Sequence, residues 1–259
     1  MTSLFDELRG TIRDGHERVL GTVVTGSRVG SKVLLAIDGT VVASRGDFPL
    51  TSECLASGVA VLVAGETRCA TLTDGTEVFW ESFKPPPRLI LIGATDFSAA
   101  LATVGALVGF HVIVVDARAT FATNLRFPTA HEVIVDWPHR MLESISPALC
   151  GADALCVLSH DNKFDVPALM SAFDTSVGYI GAMGSRATHA QRCAELAEVG
   201  ATPQQIASMY APIGLDLGGN TPEEMAIAVV AEILLVRSRR TGAPLSAGTG
   251  PIHMDPSLH

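Results

Sequence analysis

Residues 88–116, RLILIGATDFSAALATVGALVGFHVIVVD, carry the reading that decides the fold. Residues 88–92 are an unbroken apolar run of strand length, and Gly93 ends it. Residues 97–108 have helical length and composition, and residues 111–115 form a second apolar run that stops at Asp116. Strands that are apolar throughout, rather than alternating, belong in a sheet covered on both faces, and a helix between two of them supplies the crossover that parallel strands require. The same grammar continues towards the C-terminus. Strands are expected at 132–135, 154–158 and 177–180, with helices near 140–145, 166–173 and 186–199, which makes five parallel strands in all. A shorter helix is expected over 203–210. Thr221-Pro222-Glu223-Glu224 then opens a last long helix, with a capping Thr, a first-turn proline and a Glu at the capping-box position, reaching about Arg239.

Lys84-Pro85-Pro86-Pro87 marks the boundary on the N-terminal side, because three prolines can join neither a helix interior nor a central strand. Before it, residues 4–12 repeat apolar side chains at helical spacing. β-Branched runs at 19–24, 33–37 and 40–43 read as strands, with Asp38-Gly39 as a two-residue hairpin turn. A helix over 55–64 closes at Gly65, and a second hairpin turns at Asp74-Gly75. The expected organisation is α/β: a small α+β domain over residues 1–84, a Rossmann-like parallel-sheet domain over 85–240, and a disordered tail over 241–259 rich in Gly, Pro and Ser.

Composition narrows the partners. The chain has 259 residues, with 18 Lys and Arg against 27 Asp and Glu, so a net charge of −9 argues against nucleic acid or an anionic membrane surface. No apolar run approaches the roughly 18–20 residues that span a bilayer. The N-terminus carries acids and lacks a signal core, which points to the cytoplasm. Five cysteines, an odd number with none at CxxC spacing, suggest reduced thiols and no zinc site.

Candidate chemistry gathers at the carboxyl edge of the expected sheet, where open α/β folds bind ligands. Residues 177–192, VGYIGAMGSRATHAQR, read as a strand, a glycine turn and a helix start. Gly181 and Gly184 let the backbone approach a ligand, Ser185 can cap the helix, and Arg186 places a cation where the macrodipole disfavours one, so an anionic partner is expected. Gly93 opens the first βα turn, Gly93-Ala94-Thr95-Asp96, in which the later glycines of a dinucleotide fingerprint are missing. Asp116 is placed either to meet a ribose hydroxyl or to serve as a turn residue. The loop at 159–165, SHDNKFD, presents His160, which could bind a ligand, transfer a proton or simply hydrogen-bond the loop. Asp161 and Asp165 could hold a metal or an amide, or cap the next helix. No catalytic group is singled out.

Taken together, residues 87–116, VDWP at 135–138, SHDNKFD, GYIGAMGSRATHAQR and the 211–234 stretch APIGLDLGGNTPEEMAIAVVAEIL resemble the XdhC/CoxI family in order and spacing, although Gly93-Ala94-Thr95-Asp96 stands where the family carries a glycine-rich turn. The resemblance implies an accessory protein that matures molybdenum hydroxylases such as xanthine dehydrogenase or carbon monoxide dehydrogenase. It also implies a homodimer that binds the molybdenum cofactor, a pterin phosphate, through Gly93, Asp116, His160, Asp161, Gly181, Gly184, Ser185 and Arg186, and passes it to the apo-enzyme. Asp47 stands where the family carries a cysteine. Two other readings use the same fold: an NAD(P)-dependent oxidoreductase, and a partner-binding protein of a molybdoenzyme assembly that has lost cofactor binding.

Overall fold

The computed structural model describes residues 3–159 and 161–249. The chain divides into two compact units, the first ending at Pro85 and the second beginning at Pro86.

The first unit opens with α1 (Leu4–Asp14), where Ser3 and Asp6 form a capping box. Five strands follow, β1 (Arg18–Val23), β2 (Lys32–Ala36), β3 (Val41–Arg45), β4 (Thr67–Thr71) and β5 (Glu77–Phe83), with α2 (Ser52–Ala64) between β3 and β4. They pair antiparallel in the order β3-β2-β1-β5-β4. Trp80, Val19, Val33, Leu35, Val61 and Leu62 are fully buried between the sheet and α2. Both hairpins differ from the two-residue turn expected from Asp-Gly. Ala36 N–H donates to Thr40 O and Gly39 N–H to Ala36 O, so the loop has three residues and Gly39, at φ +82°, occupies the left-handed position. Leu72, Gly75 and Thr76 repeat the pattern, with Gly75 at φ +81°. The glycine takes the left-handed position that ends a type I turn, and the aspartate before it fixes the loop by accepting a backbone N–H two residues on.

The second unit is a parallel sheet. Its strands are β6 (Arg88–Ile92), β7 (His111–Val115), β8 (Glu132–Ile134), β9 (Ala154–Val157) and β10 (Tyr179–Ala182), in the order β10-β9-β6-β7-β8. Between them lie α3 (Asp96–Leu107), α4 (Pro138–Ile145) and α5 (Asn162–Phe173); α6 (Arg186–Glu198), α7 (Pro203–Ala207) and α8 (Pro222–Ser238) come after β10. Alternate residues of each strand feed opposite cores. Leu89, Leu91, Val112 and Val114 pack with Leu101, Val229 and Ile233 from α3 and α8, whereas Ile90, Ile92, Ile113 and Val115 pack with Leu142, Leu169 and Leu196 on the other face. Burial on both faces is why these strands read as continuous apolar runs.

The chain builds β6, β7 and β8 outward in one direction and then crosses back to lay β9 and β10 on the other side of β6. The carboxyl ends of β6 and β9 therefore flank the point where the winding reverses, the usual ligand crevice of such sheets. The helix expected over 203–210 stops at Ala207, because the segment after it runs alongside β10. Tyr210 N–H donates to Ile180 O, and Ala182 N–H to Tyr210 O. Of the tail expected to be disordered, residues 241–249 include a 3-10 turn over Leu245–Ala247, and residues 250–259 lie outside the described residues.

Candidate functional site

The glycine turn after β10 is assembled differently from its sequence reading. β10 continues through Gly181 to Ala182, so Gly181 is a buried strand residue and not part of the turn. A Cβ there would lie 2.5 Å from Ile213 Cδ1, so the missing side chain makes room for the segment that pairs with β10. The turn itself is Met183-Gly184-Ser185, with Met183 N–H donating to Val157 O at 2.8 Å and Gly184 at φ +144°. Ser185 caps α6 by accepting from Thr188 N–H at 3.1 Å. The N–H groups of Arg186 and Ala187 then have no acceptor among the described residues, and they point out of the helix start as an N-terminus directs them. The exposed Arg186 side chain has no ion-pair partner among the described residues.

A cleft of about 500 Å³ opens beside this turn. Gly184 and Ser185 form one end, Phe97, Met183, Ile213 and Met225 form an apolar wall, and Gly219 and Asn220 supply the polar edge. Its composition, a mostly apolar wall with a few convergent polar groups, is that of a small-molecule site. Phe97, Met183, Asn220 and Met225 were not legible as site residues. They sit on four separate segments and meet only through the fold.

Beneath the turn lies a buried ion pair. Arg192 of α6 and Asp165 of α5 are both fully buried, with Nη2 to Oδ2 at 3.0 Å. The same Nη2 donates to Met183 O at 3.0 Å, and Ser159 Oγ donates to Asp165 Oδ1. The SHDNKFD loop and the GAMGS turn are thus bolted together by side chains. Asp165 is engaged by the Arg192 guanidinium and the Ser159 hydroxyl, and among the described residues no three His, Cys, Asp or Glu side chains gather to hold a metal ion. The signal for Arg192 was its spacing four residues before Leu196, which puts both on one buried stripe of α6.

The other expected site residues are placed as follows. Asp161 caps α5, accepting from Lys163 N–H at 3.2 Å. His160 lies outside the described residues. Gly93, at φ +101°, faces the backbone of Ser159, where a Cβ would come within 2.8 Å of its nitrogen, so this glycine serves the crossing of two strand ends. Asp116 is buried and accepts from Ala94 N–H at 2.8 Å, from Arg118 N–H at 2.9 Å and twice from the Arg118 guanidinium, at 2.8 and 2.7 Å. Burial pushes its carboxyl up, but the hydrogen bonds from the Arg118 side chain and the two backbone N–H groups outweigh burial and hold it below the usual carboxylate range. With both oxygens so engaged, Asp116 is not poised to receive a ribose hydroxyl.

In the first unit, Asp47 is exposed and pairs with Arg28 at 3.3 Å. Cys54 is buried under the first turn of α2, and burial pushes its thiol up to about 11. At pH 8 Cys54 is therefore protonated and shielded. Native-state labelling with a thiol-reactive disulfide is expected to modify the exposed Cys69 and Cys150 promptly. Cys54 and the buried Cys156 should react only after unfolding; peptide mapping that found Cys54 among the fast-reacting thiols would contradict this.

An open parallel sheet with reversed winding and helices on both faces defines a Rossmann-type domain. The family model described as the XdhC Rossmann domain matches residues 89–233, more than half of the chain. The chain belongs to the XdhC family. It is 36% identical over 164 residues to a probable xanthine dehydrogenase subunit of Bacillus subtilis (strain 168), covering 63% of this chain and 47% of that protein. It is 26% identical over 177 residues to the molybdenum cofactor insertion chaperone PaoD of Escherichia coli (strain K12), covering 68% of this chain and 48% of PaoD. The chain thus spans less than half the length of these two relatives. A crystal structure described as a xanthine dehydrogenase from Bacillus halodurans superimposes with a TM-score of 0.55 at 21% identity, over 94% of this chain and 98% of the other, and shares the fold. No helix among the described residues is long and apolar enough to cross a membrane.

Proposed function

We propose that this chain is an accessory protein that binds the molybdenum cofactor as cargo and assists its insertion into, or maturation in, a molybdenum hydroxylase apo-enzyme such as xanthine dehydrogenase. The names of two relatives, a molybdenum cofactor insertion chaperone and a probable component of xanthine dehydrogenase, support the class of activity. The observation that carries it to this chain is the start of α6. Two backbone N–H groups and Arg186, without partners among the described residues, stand beside a cleft with an apolar wall. A phosphate fits the helix start, where N–H groups and macrodipole both favour an anion. A flat ring fits between Phe97, Met183 and Met225, whose thioethers are soft, adaptable contacts for aromatic faces. The described cleft lining offers apolar side chains and backbone donors, which suit the organic part and the phosphate. A homodimeric, cytoplasmic protein is the form in which we expect it to act.

An NAD(P)-dependent oxidoreductase draws less support, since Thr95 fills the phosphate turn as a helix cap and Asp116 is held by Arg118. Titration of the purified protein with molybdenum cofactor, wild type against Arg186→Ala, tests the assignment. The variant is expected to bind about tenfold more weakly, the usual effect of losing one charged hydrogen-bonding partner. Equal affinity in both proteins removes Arg186 from the site. Absence of binding in both, with retained association to a molybdenum hydroxylase, would leave a purely partner-binding role.

A further inference from the structure

A second cleft, of about 350 Å³, lies across Phe97 from the first, lined by Ala94, Thr95, Asp96, Arg118, Phe121 and Arg126. It sits at the carboxyl ends of β6 and β7, beside the start of α3. Phe121 is 41% exposed at the edge of this cleft. Two guanidinium groups lie over its ring, Arg118 at 4.7 Å and Arg126 at 5.8 Å from the centroid.

Both arginines are anchored. Arg118 engages Asp116 through Nε and Nη2, and Arg126 engages Asp96 through Nη2 at 3.1 Å and the carbonyls of Ala94 and Phe121 through Nη1. The Nη1 group of Arg118 and the Nε group of Arg126 have no acceptor among the described residues. Of the counter-charges, Asp116 is buried beneath Arg118, Asp161 also lies close enough to act on Arg118, and Asp96 is 88% exposed and screened by water. The result is one ring with two anchored cations against it, each with a spare donor. Guanidinium planes and aromatic rings stack planar heterocycles, and spare guanidinium N–H groups take phosphate oxygens.

We propose that this cleft binds a nucleoside phosphate, its base against Phe121 and the guanidinium planes and its phosphate on the spare donors of Arg118 and Arg126. The site is separate from the α6 cleft and goes beyond the cargo-binding reading. Because Thr95 occupies the position of the pyrophosphate-binding glycine, the ligand is a mononucleotide and not a dinucleotide.

Calorimetric titration of the full chain with the 5′-monophosphates of adenosine, guanosine and cytidine tests it, with adenosine, inorganic phosphate and NAD as further probes. At least one monophosphate is expected to bind with a Kd below about 1 mM, with adenosine and phosphate weaker by about tenfold or more. Phe121→Ala and Arg126→Gln are each expected to weaken that binding about tenfold, the usual loss from removing a stacking surface or a charged donor. Arg126→Lys, which keeps charge but not the planar fork, should restore only part of it. Arg186→Ala should leave nucleotide affinity unchanged, so failure here and failure of molybdenum-cofactor binding are read separately. Phosphate binding as tightly as the nucleotides, NAD binding more tightly than any of them, no binding by any monophosphate, or an unaffected Phe121→Ala variant of native thermal stability would each overturn the proposal.

Discussion

Replacing Asp165 by alanine is expected to destabilise the Rossmann unit by about 3–5 kcal/mol, the range for leaving one member of a buried ion pair behind. The reason is Arg192. Its side chain is fully buried, its Nε and Nη1 already lack partners among the described residues, and Asp165 Oδ2 at 3.0 Å is its carboxylate. With Asp165 gone, the guanidinium keeps only Met183 O as an acceptor among the described residues. A cation of that size cannot be moved to water without lifting α6 from the sheet. Urea unfolding, with amide hydrogen exchange of peptides from β9 to α6, measures the loss. The double variant Asp165→Leu, Arg192→Met removes both charges and should recover most of the stability, because two apolar side chains need no partner. Cofactor binding should fall even where the single variant stays folded, since Arg192 also holds the Met183 carbonyl at the base of the glycine turn. A loss under about 1 kcal/mol would show that the pair is solvated or replaceable, and would remove it as the support of the turn.

Gly93→Ala is expected to cost about 3 kcal/mol, adding backbone strain to steric overlap. At φ +101° an L side chain is disfavoured whatever the space around it. The space is also taken, with Ser159 Cβ and backbone nitrogen each 2.8 Å from the would-be Cβ. Because the obstacle is backbone, no rotamer change relieves it. The ends of β6 and β9 would have to part, and they are the two strands that flank the crevice. Gly151→Ala is the control. It has open space around its Cα and a backbone conformation that alanine tolerates, so its unfolding midpoint should match wild type. Equal midpoints for both variants would mean that the strand ends can separate freely.

These two residues show how far the sequence could be read. Gly93 stood out because a glycine follows an apolar strand, but its purpose was taken from a fold's phosphate turn, whereas in the folded chain it makes room for Ser159. Gly181 was misplaced by the same habit. A glycine in a GxxGS string reads as a turn, yet β10 runs through it because residues 210–213 pair alongside and Ile213 needs the space. Ser185 was legible because capping is local: the hydroxyl reaches an N–H three residues on, and nothing distant is required. Arg192 gave only a spacing, and its partner lies 27 residues away on another helix.

From the sequence alone, the order of strands and helices, the helix caps and the family resemblance could all be established, because each depends on contacts within a few residues or on a string of motifs. The tertiary structure decided which residues share a cleft. Phe97 reaches the turn of Met183, Gly184 and Ser185 only because β6 and β9 meet where the winding reverses, and Asn220 and Met225 only because α8 packs back over α3. Such proximity is set by strand order and packing between distant segments, and neither periodicity nor local propensity encodes it in any one stretch of the chain.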